Sequence, residues 1–487
     1  MSAMTKHIYL EARKCLRRGW FARNPPEVVA PDEAAQFHID EGVEVGVQAR
    51  QLYPEGVAVE WTGLPGTVAR TRRLMNDPNV SVIFEATFAI DAYITRADVL
   101  RRRDHGWKIG EVKSGLAKPE VEEEFLDDLC YTVMVASRCG VNVTGASLLQ
   151  IDRAYRLGMP VEAMYCESDA TEKVTQRMAA FSSRWTAARD GTDLPGPPPA
   201  MPCEAFSDCP YYDDQCFGRG TEYPVRNLTY LRRPRLVALL NAGMLDKRNV
   251  TGEFLAALND RQRRIVQCVK SGTPYVSPGL RAELEAVRWP AYYLDFETVQ
   301  TGLPLYPDVA PYTQLPTQFS VHRCSAPGVV DGHAEYLAAD PARDCRRDFA
   351  ERLIAELGTE GSIVVYSGFE RRIIGEVAAD LPDLAAALRP IRARLFDLLP
   401  VVRKHFYHPA FHGSFSIKAV LPALVPSMSY SGLAIADGGT AAVKFAKMAG
   451  GCYGTDECEV IRRDLLTYCE RDTRAMVEVH RALLQQC

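Results

Sequence analysis

The sequence predicts an α/β protein of two domains, the N-terminal one with a mixed-sheet core, joined by a helical linker. Three observations carry this prediction. In the N-terminal half three β-rich runs follow one another and give way to a long helical pattern. From Trp289 onward strands and helices alternate to the end of the chain. Between these regions lie a proline-rich connector and a charged helical stretch. The expected boundaries are 1–220, 221–289 and 290–487.

The first runs are VSVIFEATFAI, AYITRADVL and WKIGEVKSG, joined by Asp91 and by Asp104–His105–Gly106. Their β-branched and aromatic content and turn-type junctions mark strands. A helix is expected over Pro119–Cys139. LPGPPPAMP, from Leu194 to Pro202, is an extended connector. LVALLNAGM and TGEFLAALNDRQRRIV are amphipathic helical pieces. AYYLDFETV then reads as a buried strand, SIVVYSG as another, and a helix follows from about Glu370. RRDLLTYCERDTRAMVEVHRALL is a terminal amphipathic helix.

Bulk properties narrow the class. The chain has 487 residues, 47% hydrophobic and 24% charged, enough apolar matter for more than one core. MSAMTKHIYLEARKCLRRGW lacks the apolar centre of a secretion signal. No apolar run is long enough to span a bilayer, so a cytoplasmic protein without a membrane partner is expected. Its 14 cysteines should then stay reduced. Net charge is −5, against bulk phosphate binding, but arginines cluster at Arg101–Arg103, Arg232–Arg235 and Arg261–Arg264. Such clusters are first solvated faces and second local strips able to guide a polyanion.

The chemistry-bearing residues concentrate in two places. In LDFET, Asp295 and Glu297 are two apart on a strand and project from one face. Adjacent carboxylates repel unless a cation sits between them, and Mg²⁺ or Mn²⁺ suits oxygen ligands. In YCERDT, Tyr468 and Asp472 are four apart on a helix and share its face. Glu370 opens a helix just after a strand, and Asp397 in RLFDLLPVV is a further acid.

These residues, in this order, resemble the DnaQ-like exonucleases of the RNase H superfold, in their tyrosine-bearing DEDDy subgroup, over Tyr292–Leu484. The resemblance implies two metal ions, a metal-activated water and phosphodiester hydrolysis from a 3′ end. The subgroup's second motif usually supplies Asp; here Glu370 stands there, with Asp397 as the alternative.

The second place is N-terminal. Asp98 borders one strand, and Glu111 and Lys113 share a face of the next. This pattern resembles the PD-(D/E)XK nucleases, most closely their RecB-like branch. It implies that Asp98 and Glu111 hold Mg²⁺ or Mn²⁺ and that Lys113 orients water or stabilises developing charge. Glu85, in FEATF on the preceding strand, is the further carboxylate joined to them in this reading. Several RecB-like nucleases close their fold with a [4Fe–4S] cluster on one early and three late cysteines, which here are Cys15, Cys203, Cys209 and Cys216. Zinc and unligated thiols are the alternatives. The pairing of modules resembles an uncharacterised bacterial family over nearly the whole chain, including PLYPDVAPYTQLPTQFSVH and FHGSFSIKAVLPAL.

The sequence thus leads to the expectation of a metal-dependent nuclease, exonucleolytic, acting on DNA or RNA. The alternative is a non-catalytic nucleic-acid-binding or scaffold protein that retains nuclease folds.

Overall fold

A computed structural model describes residues 3–27, 30–103, 105–202 and 209–487. The chain forms two compact units, Met1–Arg219 with Thr301–Thr313, and Gly220–Gln300 with Gln314–Cys487. The stretch 221–289, expected as a linker, is grouped with the second unit. Among the described residues, no helix is long and apolar enough to cross a membrane.

The first unit is built on β1 (Val57–Ala58), β2 (Val82–Ile90), β3 (Tyr93–Arg103), β4 (Gly106–Leu116), β5 (Val143–Ile151) and β6 (Tyr165–Asp169), in that spatial order. The β2–β3–β4 meander is antiparallel, whereas β4 and β5 are parallel. A parallel pair needs a crossover, and the helix Glu123–Arg138 supplies it. Its Leu126, Leu129, Val133 and Met134 join Ile109, Ala146 and Leu148 in the core. Glu123 and Glu124 in its first turn and Arg138 in its last complement the helix dipole.

Simple alternation fails in the middle of β2. Val82 and Phe84 belong to one small cluster with Val99, while Ile83, Ala86 and Phe88 lie in the main core. The side-chain parity reverses at Glu85, which has φ of 58°, opposite the place where β3 reverses between Ala97 and Leu100. The reversal falls beside Asp98.

The segment Thr301–Thr313 joins this unit through polar anchors. Gly302 N–H donates to Glu41 Oε1 at 2.7 Å, and the Tyr312 hydroxyl donates to the Ser114 carbonyl at 2.8 Å.

The second unit begins with the helices Arg233–Asn241, Gly252–Ala256 and Asp260–Ser271. TGEFLAALNDRQRRIV is therefore not one helix. Asn259 caps the third helix by accepting from Gln262 N–H, and the Gln262 side chain accepts from Asn259 N–H in return.

The small strand β7 (Tyr275–Val276) precedes the main sheet: β8 (Ala291–Val299), β9 (Leu315–Ala326), β10 (Val329–Leu337), β11 (Ile363–Val365) and β12 (Leu395–Asp397). The spatial order is β10–β9–β8–β11–β12. β9 is antiparallel to both of its neighbours, β8 and β10, while β11 runs parallel to both β8 and β12. β7 pairs with β13 (Phe406–Tyr407). The terminal helix Thr455–Gln485 buries Leu465, Tyr468, Cys469, Asp472, Met476 and Leu483 along one side. At Gly361, φ is +78° and an added Cβ would lie 1.7 Å from the Pro290 carbonyl oxygen, so the chain passes β8 too closely for a side chain.

Candidate functional site

The strand period and the helix period meet in the second unit. Asp295 and Glu297 on β8 meet Asp472 of the terminal helix, and a carboxylate oxygen from each lies within 4.8 Å of the others. Glu370, at the start of the helix Phe369–Asp380, is buried and close enough to act electrostatically on Asp295 and Glu297.

Such crowding should favour protonation when no cation is present. Burial first, then the charges of Asp472, Glu297 and Glu370, lifts Asp295 well above the usual carboxylate range. Glu297 is pushed up to about 8 by burial and by Asp472, with Lys418 opposing. Burial, with Asp397 and Asp472 adding to it, pushes Glu370 up to about 8. Asp472 is also raised by burial, against hydrogen bonds from Tyr430 and Tyr468 and the charge of Lys418.

The two candidates for the middle acid are distinguished by their surroundings. Asp397 caps the helix Leu398–His405 by accepting from Leu399 N–H at 2.9 Å. Glu370 makes a weaker contact with the Ser367 hydroxyl at 3.5 Å and interacts directly with the acidic trio.

Several participants escaped the motif reading. The Tyr430 hydroxyl donates to Asp472 Oδ1, and its ring meets Tyr468 edge-on at 6.4 Å. Burial, reinforced by the Asp472 charge, raises both phenols, so they remain donors. Lys418 Nζ lies 5.4 Å and 5.1 Å from these two ring centres and donates to the Ala436 carbonyl at 2.6 Å. Cys469 Sγ is 3.7 Å from Asp295 Oδ2. The helix Gly438–Ala449, capped by Asp437, begins beside Glu297: a Cβ on Gly438 would lie 3.5 Å from Glu297 Oε2. Only the Asp-Gly-Gly run at 437–439, a capping acid before two residues without side chains, left a local sign of this approach.

In the first unit, the β3–β4 ladder ends by pairing Val99 with Gly110, and Asp98 and Glu111 are the next residue on each strand. Lys113 Nζ lies 3.1 Å from Glu111 Oε1 and also pairs with Asp128. Lys6 Nζ approaches the same Glu111 oxygen to 2.5 Å. Glu111 Oε2 is buried and has no hydrogen-bond partner among the described residues. Burial works to raise Glu111, but Lys6 and Lys113 outweigh it and hold the carboxyl below its ordinary value. Asp98 is lifted to about 7 by burial and then by Glu111, although it accepts from Val112 N–H at 2.7 Å. Glu85 is bound by Arg50 at 3.0 Å and Arg96 at 2.9 Å, yet still acts on Asp98.

Of the four cysteines singled out, Cys203 lies outside the described residues. Cys15 joins the helices Lys6–Lys14 and Leu16–Arg23, and Cys216 ends the short helix Tyr212–Gln215. Burial raises the Cys216 thiol, with Cys209 and Cys15 adding to the effect, so the three share one neighbourhood. Arg17 holds it together by donating to the Gln215 carbonyl at 2.7 Å and the Pro198 carbonyl at 2.5 Å.

Residues 292–416 match a family model described as Domain of unknown function (DUF2779). The match includes Asp295, Glu297, Glu370 and Asp397, while Lys418, Tyr430, Tyr468 and Asp472 follow it. The chain is 25% identical over 214 residues to "Uncharacterized protein UU173" of Ureaplasma parvum serovar 3 (strain ATCC 700970), over 38% of this chain and 30% of that protein. The aligned region thus spans less than a third of that relative's length. No solved structure matches the chain. The comparisons place a domain of an uncharacterised family here and carry no activity with them.

Proposed function

We propose that this protein is a divalent-metal-dependent nuclease whose second unit trims nucleic acid from a 3′ end. The observation that carries the reading is the convergence of Asp295, Glu297 and Asp472 from distant parts of the chain. Unpaired carboxylates repel, and a hard cation is the simplest reason to tolerate such a group. The all-oxygen donor set fits Mg²⁺ or Mn²⁺, held by Asp295, Glu297 and Asp472 with Glu370 beside them. When bound, such ions supply Lewis acidity and a water that ionises near neutral pH.

The chain's own groups have distinct tasks in this reading. Asp472 is oriented by Tyr430, while Tyr468 presents a protonated phenol able to orient a water. Lys418 offsets part of the carboxylate charge and offers a cation to a phosphate. The amide end of the helix Gly438–Ala449 faces the same place and favours an anion. The strand order, with an antiparallel trio followed by two parallel strands, supports an RNase H-like domain.

For the first unit the proposal is a PD-(D/E)XK-like site on Asp98, Glu111 and Lys113, with a [4Fe–4S] cluster on Cys15, Cys203, Cys209 and Cys216. The unpartnered Glu111 Oε2 and the gathered thiols support these two assignments. A second reading, nucleic-acid binding without chemistry in this unit, draws on Lys6, which already neutralises Glu111.

The test is a panel of end-labelled single- and double-stranded DNA and RNA, with Mg²⁺, Mn²⁺ or EDTA. Stepwise, metal-dependent shortening from the 3′ end is expected. Intact substrates under all conditions would overturn the reading in favour of a binding or scaffold role.

A further inference from the structure

A second cluster of ligand-type side chains lies apart from the acidic trio. His322 on β9 and His333 on β10 are directly opposed across an antiparallel pair, with ring centres 4.6 Å apart. Cross-strand partners point to the same face. The terminal helix crosses this face and brings Glu470 to it, so that one nitrogen from each imidazole and a Glu470 carboxylate oxygen lie within 4.8 Å of one another.

The hydrogen bonds behind this cluster fix how the rings are presented. The Thr473 hydroxyl donates to the Glu470 carbonyl at 3.0 Å. With its single proton directed to that carbonyl, the Thr473 oxygen is left as acceptor towards His322 Nδ1 at 2.8 Å and the Ser320 hydroxyl at 2.8 Å. Ser320, its proton then directed to Thr473, is left as acceptor towards His333 Nε2 at 2.9 Å. With the donors in that order, each neutral ring carries its lone pair on the other nitrogen, His322 Nε2 and His333 Nδ1. Metal-bound histidines use the other ring N–H in this way, which sets tautomer and orientation. His333 and Glu470 are exposed, so an ion can reach the site from solvent.

From this geometry we propose a second metal site at His322, His333 and Glu470, for a borderline first-row cation of the zinc class. Two imidazoles and a carboxylate suit Zn²⁺ with one position left to water, unlike the all-oxygen trio. The ion would clamp the terminal helix to the β9–β10 hairpin. Because Glu470 and Thr473 flank Asp472 in sequence, the clamp would also fix the helix that carries Asp472. The site stands whether or not the nuclease reading is correct.

The experiment uses the full chain, stripped with EDTA and returned to Zn²⁺ by equilibrium dialysis. Bound zinc and thermal midpoint are measured for the wild type, His333→Ala, Glu470→Gln and Asp295→Asn. Wild type and Asp295→Asn should both retain this zinc and gain thermal midpoint on adding it. His333→Ala and Glu470→Gln should each bind one zinc fewer per chain, with affinity at this site reduced roughly 100-fold or more (outer-partner losses alone reach 10–100-fold). Equal midpoints in EDTA would show that the exposed variants fold normally. Unchanged zinc content and an unchanged Zn²⁺-induced shift in His333→Ala would overturn the proposal. So would loss of the same zinc in Asp295→Asn alone, which would assign it to the acidic trio.

Discussion

Glu297→Gln separates the electrostatic account of the acidic centre from a merely structural one. Glu297 is pushed from 4.5 to about 8 by burial and then by Asp472. At ~1.36 kcal/mol for each tenfold change in proton affinity, ionising it in the metal-free fold costs on the order of 5 kcal/mol. The side chain is only partly buried and shares its charge problem with three other acids, so about 3 kcal/mol is the fairer figure. The sign follows from linkage. A carboxyl raised in the folded state contributes stability that is fully present below its unfolded value, near 4.5, and is lost as pH rises through about 8. Metal-free wild type should therefore lose thermal midpoint between roughly pH 5 and pH 9, and Glu297→Gln should lose less. At the alkaline end the variant should melt about 6 °C or more above wild type, taking ~2–4 °C per kcal/mol for a domain of this size. Mg²⁺ should close that gap by stabilising wild type more than the variant. Differential scanning calorimetry at both pH values, with EDTA or Mg²⁺, reads all four states. A variant that melts below wild type at high pH without metal would refute the reasoning, since Glu297 would then be held by favourable contacts.

Three further outcomes follow from the geometry. Lys418→Met should keep the fold and slow 3′ trimming by roughly 10–100-fold, because it removes a cation beside the carboxylates; single-turnover assays at saturating Mg²⁺ read this. Cys216→Ser should abolish the brown colour and broad absorption, near ~400 nm, expected of anaerobically purified protein with an iron–sulfur cluster; colour unchanged by the substitution would exclude Cys216 as a ligand. Gly361→Ala should cost more than about 3 kcal/mol by urea unfolding, as both its positive φ and the Pro290 carbonyl oppose a side chain.

The acidic centre was legible where one local period carries the information. Asp295 and Glu297 share a strand face and Tyr468 and Asp472 a helix face, and those spacings survive folding. Tyr430 and Lys418 were not legible, because their partners lie up to 121 residues away and no spacing announces them. Choosing between Glu370 and Asp397 also needed the fold: Asp397 is engaged as a helix cap, a role its neighbours alone do not distinguish from ligation. In the first unit the three strands and their turns could be read from composition, but the parity reversal at Glu85 could not. A left-handed residue inside a strand has no reliable sequence signal when it is not glycine. The break before Asn259 was masked for the opposite reason. Both flanking segments favour helix, and only the Asn259–Gln262 box marks the boundary.

The central claim is that Asp295, Glu297 and Asp472 form a catalytic metal centre. It is tested most directly by 3′-end trimming of a labelled oligonucleotide in Mg²⁺, comparing Glu111→Ala with the double variant Glu111→Ala/Asp295→Ala. The first substitution removes the carboxylate proposed for the N-terminal site, so that the comparison isolates the second unit. The account predicts trimming by the single variant and none by the double, with the double variant still folded by circular dichroism. Mg²⁺-dependent trimming that persists in the folded double variant would contradict it and place the catalytic centre elsewhere.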